Sequence, residues 1–444
     1  MLNENISAIS TPLTASGVAV IRISGDSPLL ILEKMFTPQG KVKVKDFQPY
    51  RMYPGEFDGG SFKDYGLAVY FKAPNSYTGE EVVEIHCHGG VAIVKGLLQK
   101  TLELGARPAT RGEFTKRAFL NGKLSLSSAE GLIDMINSES VGEIKAGYSL
   151  YKERLNAKTD AILEKLTSAL AEIDADIDFP EEDLETLSRE KIGELLTSAQ
   201  EDIDGLLATY KIGQKLTSGV KVAICGKPNA GKSSVLNALM GYDKAIVSSI
   251  AGTTRDVVEG TCEINGLKFV FFDTAGIRET GDEIEGIGVE RAKKTLNTSD
   301  LVLEIIDASE PNPDDTLTEL IKDKPYLKIY NKSDLENAKN TDCDLLVSAK
   351  TGDGIEKLKR LVFDKALGAK IDLNGGFLTE ERHFYALKKA GEKLSFAINI
   401  IKDNPLDMAS IDIKEAWQAL GEISGRSATE EVIDEIFRKF CVGK

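Results

Sequence analysis

Hydrophobic and polar positions fall into four successive rhythms along the chain. Over residues 1–123 the apolar residues fall in short β-type runs, Val18–Ile23, Tyr65–Phe71 and Val82–Cys87, separated by turns that carry Gly and Pro. These runs predict strands, and Ala92–Leu104 predicts a helix between turns, so this part is an α/β or α+β domain. From Ser127 to about Leu216 the strand signals stop. Leu, Ile and Ala then recur at helical spacing through Ala129–Ile136, Tyr148–Ile173 and Glu190–Leu207, with Phe179-Pro180 as a helix break. Residues 220–368 alternate again between strands and helices, the pattern of a doubly wound sheet. Its candidate strands are Val220–Cys225, Lys268–Phe272, Leu301–Ile306, Leu327–Tyr330 and Leu345–Val347. After Gly375-Gly376 the helical period resumes in His383–Ile401 and Ile411–Leu420. The simplest organisation is four segments, 1–123, 124–216, 217–370 and 371–444, in which the third is inserted between two halves of one helical domain.

Composition narrows the class. The 444 residues are 42% hydrophobic and 28% charged, which suits a globular protein. No run approaches the ~18 consecutive apolar residues of a membrane span, and residues 1–12 lack the basic and apolar regions of a signal peptide. Five cysteines, at 87, 225, 262, 343 and 441, are odd in number and unpaired in spacing. That argues against a disulfide framework and for a reducing cytoplasm. The formal charge is −15, but it is unevenly distributed. Residues 172–204 hold 13 acidic side chains against Arg189 and Lys191, whereas residues 1–123 hold 15 basic and 12 acidic ones. The acidic run reads as a solvated helical face. An acidic chain is a poor non-specific coat for nucleic acid, although a local basic site is compatible with it.

The sharpest chemical signal is GKPNAGKS, Gly226 to Ser233, which follows an apolar run and precedes a helical pattern. Such a loop turns backbone N–H groups toward phosphate oxygens at a helix N-terminus. Lys232 would reach the β- and γ-phosphates, and Ser233 would ligate Mg²⁺. Asn229, Ala230, Gly231 and Ser234 complete the loop. Four companion motifs follow in order: Thr253-Thr254-Arg255-Asp256, Asp273-Thr274-Ala275-Gly276, Asn331-Lys332-Ser333-Asp334 and Ser348-Ala349-Lys350. Together they resemble the guanine-nucleotide set of the translation-factor-like GTPases. Thr254 can place a hydroxyl on Mg²⁺, Asp273 can support the metal, and Gly276 can offer an N–H to the γ-phosphate. Asp334 can accept both ring-edge donors of guanine; adenine lacks that pair and would leave the carboxylate unsatisfied, so GTP is expected over ATP. After Asp-Thr-Ala-Gly stands Ile277, which cannot orient water by hydrogen bonding. The water-positioning carboxylate must then come from Glu279, Asp282, Glu283 or Glu285.

Longer segments resemble one family over the whole chain. GVAVIRISG (17–25), PNSYTGEEVVEIHCHGG (74–90), RGEFTKRAFLNGKLSL (111–126), IDFPEED (177–183) and the terminal FCVGK (440–444) are similar to the tRNA-modification GTPases of the MnmE, or TrmE, family. The resemblance implies an N-terminal folate-binding domain that dimerises, a central helical domain, and an inserted Ras-like GTPase domain. It also implies a partner, the FAD-dependent MnmG, and a tRNA whose wobble uridine receives an aminomethyl-type group. The one-carbon donor would be 5-formyltetrahydrofolate or a related folate, held by Arg22, Glu84, Lys123 and Lys444. In the GTPase domain the resemblance selects Glu285 to position water. It also implies K⁺ in place of an arginine finger, held by Asn229, carbonyls over Ser248–Gly252 including Ile250, and Thr253. Such a K⁺ site forms when two GTPase domains meet.

Two features invite other readings. His86 and His88 lie on one side of a strand and suggest a metal site, but no Cys/His cluster accompanies them. Cys441 could act as a nucleophile only with an activating neighbour, for which Lys439 and Lys444 are candidates. A regulatory GTPase of ribosome assembly shares the PNAGKSS motif, and a folate-dependent aminomethyl transferase shares the N-terminal expectation. The FCVGK terminus counts against the ribosome factor.

Overall fold

The computed structural model describes residues 4–178, 185–241, 260–273, 295–309, 324–335, 343–367 and 376–444. They fall into two compact units. One contains Met1–Ile133, Leu150–Ala199 and Lys389–Lys444; the other contains Asp134–Ser149 and Gln200–Lys388. The chain is therefore multidomain, with an N-terminal α/β part, a helical part assembled from separate stretches, and a doubly wound sheet.

The first unit is built on a seven-stranded sheet: β1 (Ile6–Ile9), β2 (Ser16–Gly25), β3 (Phe36–Pro38), β4 (Met52–Asp58), β5 (Lys63–Phe71), β6 (Glu81–Gly89) and β7 (Arg107–Pro108). The spatial order is β3-β4-β5-β6-β2-β1-β7, antiparallel except between β1 and β7. One face carries Ile21, Ile23, Phe57, Ala68, Val83 and Ile85 into a core closed by helices α1 (Pro28–Met35) and α2 (Val91–Glu103). Strand β4 shows why the sheet has two different faces: its residues alternate strictly between buried and exposed. The opposite face aligns Met52, Val69, Glu84, Arg22 and Ala8 in one row across β4, β5, β6, β2 and β1.

Helix α3 (Glu113–Leu120) follows β7, and α4 (Leu126–Asn137) and α5 (Val141–Tyr151) come next. The continuous helix expected over Tyr148–Ile173 is two helices. Glu153 adopts a left-handed backbone, φ 58°, and α6 (Arg154–Asp178) starts after it. Helix α7 spans Glu185–Ala208, and α8 spans Tyr210–Ser218. The expected break at Phe179-Pro180 lies outside the described residues. Near the C-terminus run α11 (Glu381–Asp403), α12 (Leu406–Ser424) and α13 (Glu430–Arg438). Antiparallel packing of α12 on α6 is fixed by Trp417 Nε1 donating to Thr167 Oγ1 at 3.2 Å and Arg426 pairing with Asp160 at 3.2 Å. Helix α13 buries Ile436 and Phe437 with Phe440, Leu126 and Ala129.

The second unit is centred on a six-stranded sheet of β8 (Val220–Cys225), β9 (Gly260–Ile264), β10 (Leu267–Asp273), β11 (Leu301–Asp307), β12 (Tyr326–Asn331) and β13 (Leu345–Leu346). Its order is β13-β12-β11-β8-β10-β9, parallel apart from the β9–β10 hairpin closed at Asn265-Gly266. Strand β8 is continuously buried after Lys221, as a central parallel strand must be. Helices α9 (Lys232–Met240) and α10 (Ile355–Leu367) bury Val235, Leu236, Leu358 and Val362 against it. Among the described residues no helix is long and apolar enough to cross a membrane.

Candidate functional site

In the doubly wound sheet, loops at the carboxyl ends of β8 and β12 and the segment after β13 converge, the place where such sheets bind ligands. Gly226 leaves β8, Asn229 stands exposed at φ 63°, and Gly231 (φ 91°) caps the N-terminus of α9. A side chain on Gly231 would put its Cβ 2.2 Å from Asn331 Nδ2, so the close approach requires glycine there. Lys232 is almost fully buried, and its ammonium donates to the carbonyls of Gly226 (3.1 Å) and Lys227 (3.0 Å). Ser233 and Ser234 are exposed on the first turn of α9, where a hydroxyl can meet a metal or a phosphate.

Asn331 joins the three loops. It is 1% exposed, donates from Nδ2 to Ala230 O at 3.1 Å and accepts the N–H of Ala349 on Oδ1 at 3.0 Å. Asp334 accepts the Ser348 hydroxyl at 2.7 Å, and this hydrogen bond leads the effects that hold its carboxyl below the ordinary aspartate range. Lys350 lies 4.0 Å from Asp334. The loops enclose an open cavity of about 930 Å³ lined by Gly231, Ser234, Asn331, Lys332, Asp334, Ala349 and Lys350, among others. A helix N-terminus stands at one end and a charged carboxylate at the other, an arrangement that suits a nucleotide with phosphates and a base carrying two donors.

Asp273 ends β10 in register with Ile224. Ser248, Ile250, Thr253, Thr254, Thr274, Ala275, Gly276 and Glu285 lie outside the described residues, as do Ile277, Glu279, Asp282 and Glu283. A residue that sequence reasoning passed over is Asp307, at the end of β11. Its Oδ2 pairs with Lys332 Nζ at 2.5 Å, while Oδ1 accepts the Ser309 hydroxyl and N–H. Burial raises its pKa, but the Lys332 and Ser309 contacts outweigh burial and hold the carboxyl low. The only sequence sign of it is that the apolar run of β11 stops there.

The second cluster lies on the face of the seven-stranded sheet opposite its core. Arg22 and Glu84 are directly opposed on β2 and β6 and make a two-nitrogen contact to Oε1, at 2.9 Å from Nε and 2.8 Å from the terminal nitrogen. Burial pushes the Glu84 pKa up, but His86 at 3.4 Å and Arg22 prevail and lower it. The Arg22 guanidinium carbon lies 5.2 Å from the ring centre of Tyr77 and 5.6 Å from that of Phe114, two aromatic neighbours that sequence reasoning also missed. Lys123 is exposed and donates to Pro74 O at 3.0 Å. The terminal segment is stitched to the same domain. Val442 bridges to Arg111, and Ser10 donates to Gly443 O at 3.1 Å. A Cβ on Gly443 (φ 97°) would stand 2.1 Å from Ile9 O. Lys444 is thus placed beside the end of β1, whose Ala8 is the register partner of Arg22.

The histidines are otherwise occupied. His88 Nδ1 lies 2.6 Å from the buried Asp64, and among the described residues no group of three or more His, Cys, Asp or Glu could hold a metal ion. Cys441 is exposed.

Comparison with known proteins finds relatives along the whole chain. Residues 5–123 match the family model of the GTP-binding protein TrmE N-terminus, and residues 126–441 match that of the MnmE helical domain. The chain is 38% identical over 460 residues to the tRNA modification GTPase MnmE of Natranaerobius thermophilus, and 39% identical over 452 residues to that of Aquifex aeolicus. It is 36% identical over 457 residues to that of Clostridioides difficile, and each of the three alignments covers 100% of both chains. With both models matched and this similarity running end to end, the chain belongs to the MnmE family of tRNA modification GTPases.

Proposed function

We propose that this chain is the GTP-hydrolysing component of a tRNA wobble-uridine modification system in the cytoplasm, working as a homodimer with MnmG and a folate one-carbon donor. The observation that carries the GTPase part is the convergence of Gly231, Asn331 and Asp334 on one cavity. Asp334 would accept the two ring-edge donors of guanine, and the Ser348 hydroxyl keeps its charge and orientation. Gly226 to Ser234 would cradle the phosphates through backbone N–H groups, with Lys232 drawn from its own loop carbonyls to phosphate oxygens. Ser233 and Thr254 would hold Mg²⁺, with Asp273 behind them. When bound, Mg²⁺ and K⁺ offset charge on the phosphates. Asn229, exposed at the tip of the loop, is suited to hold the K⁺ together with Ser248, Ile250 and Thr253. Glu285 would position the attacking water.

Arg22 and Glu84, with Lys123 and Lys444, supply opposite charges for a folate's carboxylates and pterin edge. The surrounding sheet face exposes Val18, Met52 and Tyr65, each more than half accessible, which suits burial against a second copy. The +3 balance of residues 1–123 is compatible with a tRNA partner. The acidic run over 172–204 points to MnmG as the source of much of the basic surface that tRNA requires.

Mass spectrometry of tRNA nucleosides from a deletion strain tests the whole reading, and unchanged wobble-uridine modification would overturn it. In the purified protein, Glu285→Ala should bind GTP and fail to hydrolyse it. Exchanging K⁺ for Na⁺ should slow wild-type turnover sharply, and indifference to the cation would remove the K⁺ role.

A further inference from the structure

Asp307 does not line the nucleotide cavity, yet it grips a residue that does. Its two carboxylate oxygens are divided between two tasks. Oδ1 is immobilised by the Ser309 N–H at 2.9 Å and hydroxyl at 2.6 Å, and Oδ2 takes the Lys332 ammonium at 2.5 Å. Lys332 lines the cavity while standing at φ 69°, a left-handed backbone that a lysine keeps only when its surroundings hold it. The same corner is pinned through the main chain. Asp307 is the register partner of Asn331, and Ala308 N–H donates to Asn331 O at 2.8 Å. The Lys332 charge is therefore spent on Asp307, outside the cavity wall, and its methylene stem is what remains for the cavity.

We propose that Asp307 is a positioning residue for guanine-nucleotide retention. By drawing the Lys332 ammonium away, it leaves an apolar stem as the wall beside the base. By fixing Lys332 it also keeps the Asn331–Asp334 loop in the conformation that presents the Asp334 carboxylate to the cavity. This inference rests on reading the cavity as a guanine-nucleotide site. Without the ion pair, the loop is free to leave its left-handed conformation and the ammonium is free to swing into the site. The resulting loss falls on nucleotide release rather than on the hydrolytic step.

The test uses the full-length protein, with dissociation of fluorescent mant-GDP chased by excess GDP. Asp307→Asn should speed release about tenfold, which corresponds to about 1.4 kcal/mol, a modest charge-assisted hydrogen bond. KM for GTP should rise in proportion while kcat at saturation changes less than twofold. Lys332→Met should speed release similarly, and the double variant should be no faster than the quicker single one, because both remove the same contact. Asp307→Glu keeps the charge on a longer arm, so its release rate should fall between wild type and Asp307→Asn; this variant carries the test if Asp307→Asn unfolds. Release from Asp307→Asn within twofold of wild type, or effects that add with Lys332→Met, would overturn the proposal. A wild-type chain that fails to hold mant-GDP would overturn the site reading itself, and this inference with it.

Discussion

Replacing Gly231 by alanine probes the junction on which the nucleotide cavity depends. Two costs can be worked from the structure. The backbone at φ 91° is left-handed, which costs an L-residue about 1–2 kcal/mol. The new Cβ would also lie 2.2 Å from Asn331 Nδ2, so the amide must move. Asn331 is 1% exposed and tied at 3.1 Å to Ala230 O and at 3.0 Å to Ala349 N. Displacing it leaves at least one buried polar group unsatisfied, a further ~1–3 kcal/mol. The total, about 2–5 kcal/mol, should weaken guanine-nucleotide binding by at least about thirtyfold if the wild type binds with the loop as it stands. Equilibrium titration with mant-GDP measures this, and circular dichroism reports how much of the cost appears as lost stability. A double-mutant cycle with Asn331→Ala separates the two costs. Once the amide is gone the clash is relieved, so Gly231→Ala in that background should add only the backbone strain. Binding by Gly231→Ala within threefold of wild type, with an unchanged melting temperature, would refute the reasoning.

Three other outcomes are expected. Gly443→Ala, whose Cβ would stand 2.1 Å from Ile9 O, should displace the terminal segment and weaken calorimetric binding of 5-formyltetrahydrofolate, the donor proposed above; undiminished affinity would separate the terminus from the proposed folate site. Brief iodoacetamide treatment at pH 8 should label exposed Cys441 first and spare Cys87, which is 3% exposed and whose thiol burial pushes up to about 11; peptide mapping that finds Cys87 labelled as fast would contradict its burial. Glu113 is held at about 2, against its burial, by Arg107 and the Thr110 N–H. Its folded pKa is depressed, so its contribution is present above pH ~4.5 and disappears as pH falls toward 2, on the order of 2 kcal/mol after allowance for screening. Urea titrations across that window should show wild type losing this increment and Glu113→Gln varying less with pH.

How much of this was legible beforehand depended on the kind of interaction. The central strand Val220–Cys225 is a continuous apolar run because both its faces are buried, and the phosphate loop is legible because contiguous residues must meet one ligand. Strand β4 was not, since Pro54 and Gly55 break the apolar–polar pattern of its sequence although its burial alternates, and β9 is only five residues long. The break between α5 and α6 has no Gly or Pro to announce it; Glu153 accepts a left-handed turn where Ser128 Oγ donates to its carboxylate at 3.1 Å. Cross-strand pairs are the least visible, because register is a tertiary property. Arg22 and Glu84 are 62 residues apart and were reached through family resemblance, whereas their two-nitrogen contact comes from the pairing of β2 with β6. Asp307 and Lys332 are likewise joined only by the alignment of β11 with β12. The expectations placed on Ser248 to Thr254 and on Glu285 fall outside the described residues.

The hydrogen bond from Ser10 to Gly443 has a meaning in the order of synthesis. These residues are 433 positions apart, so at ~5–20 residues per second the ribosome needs roughly 20–90 s after making the first to deliver the second. Within that interval the seven-stranded sheet gains all its strands, and the whole GTPase segment can emerge and collapse, while the end of β1 waits for its last neighbour. Nucleotide binding can therefore precede completion of the N-terminal domain in every newly made chain. A nascent chain stalled a few residues short would hold its GTPase segment intact while its N-terminal domain lacked the terminal seam.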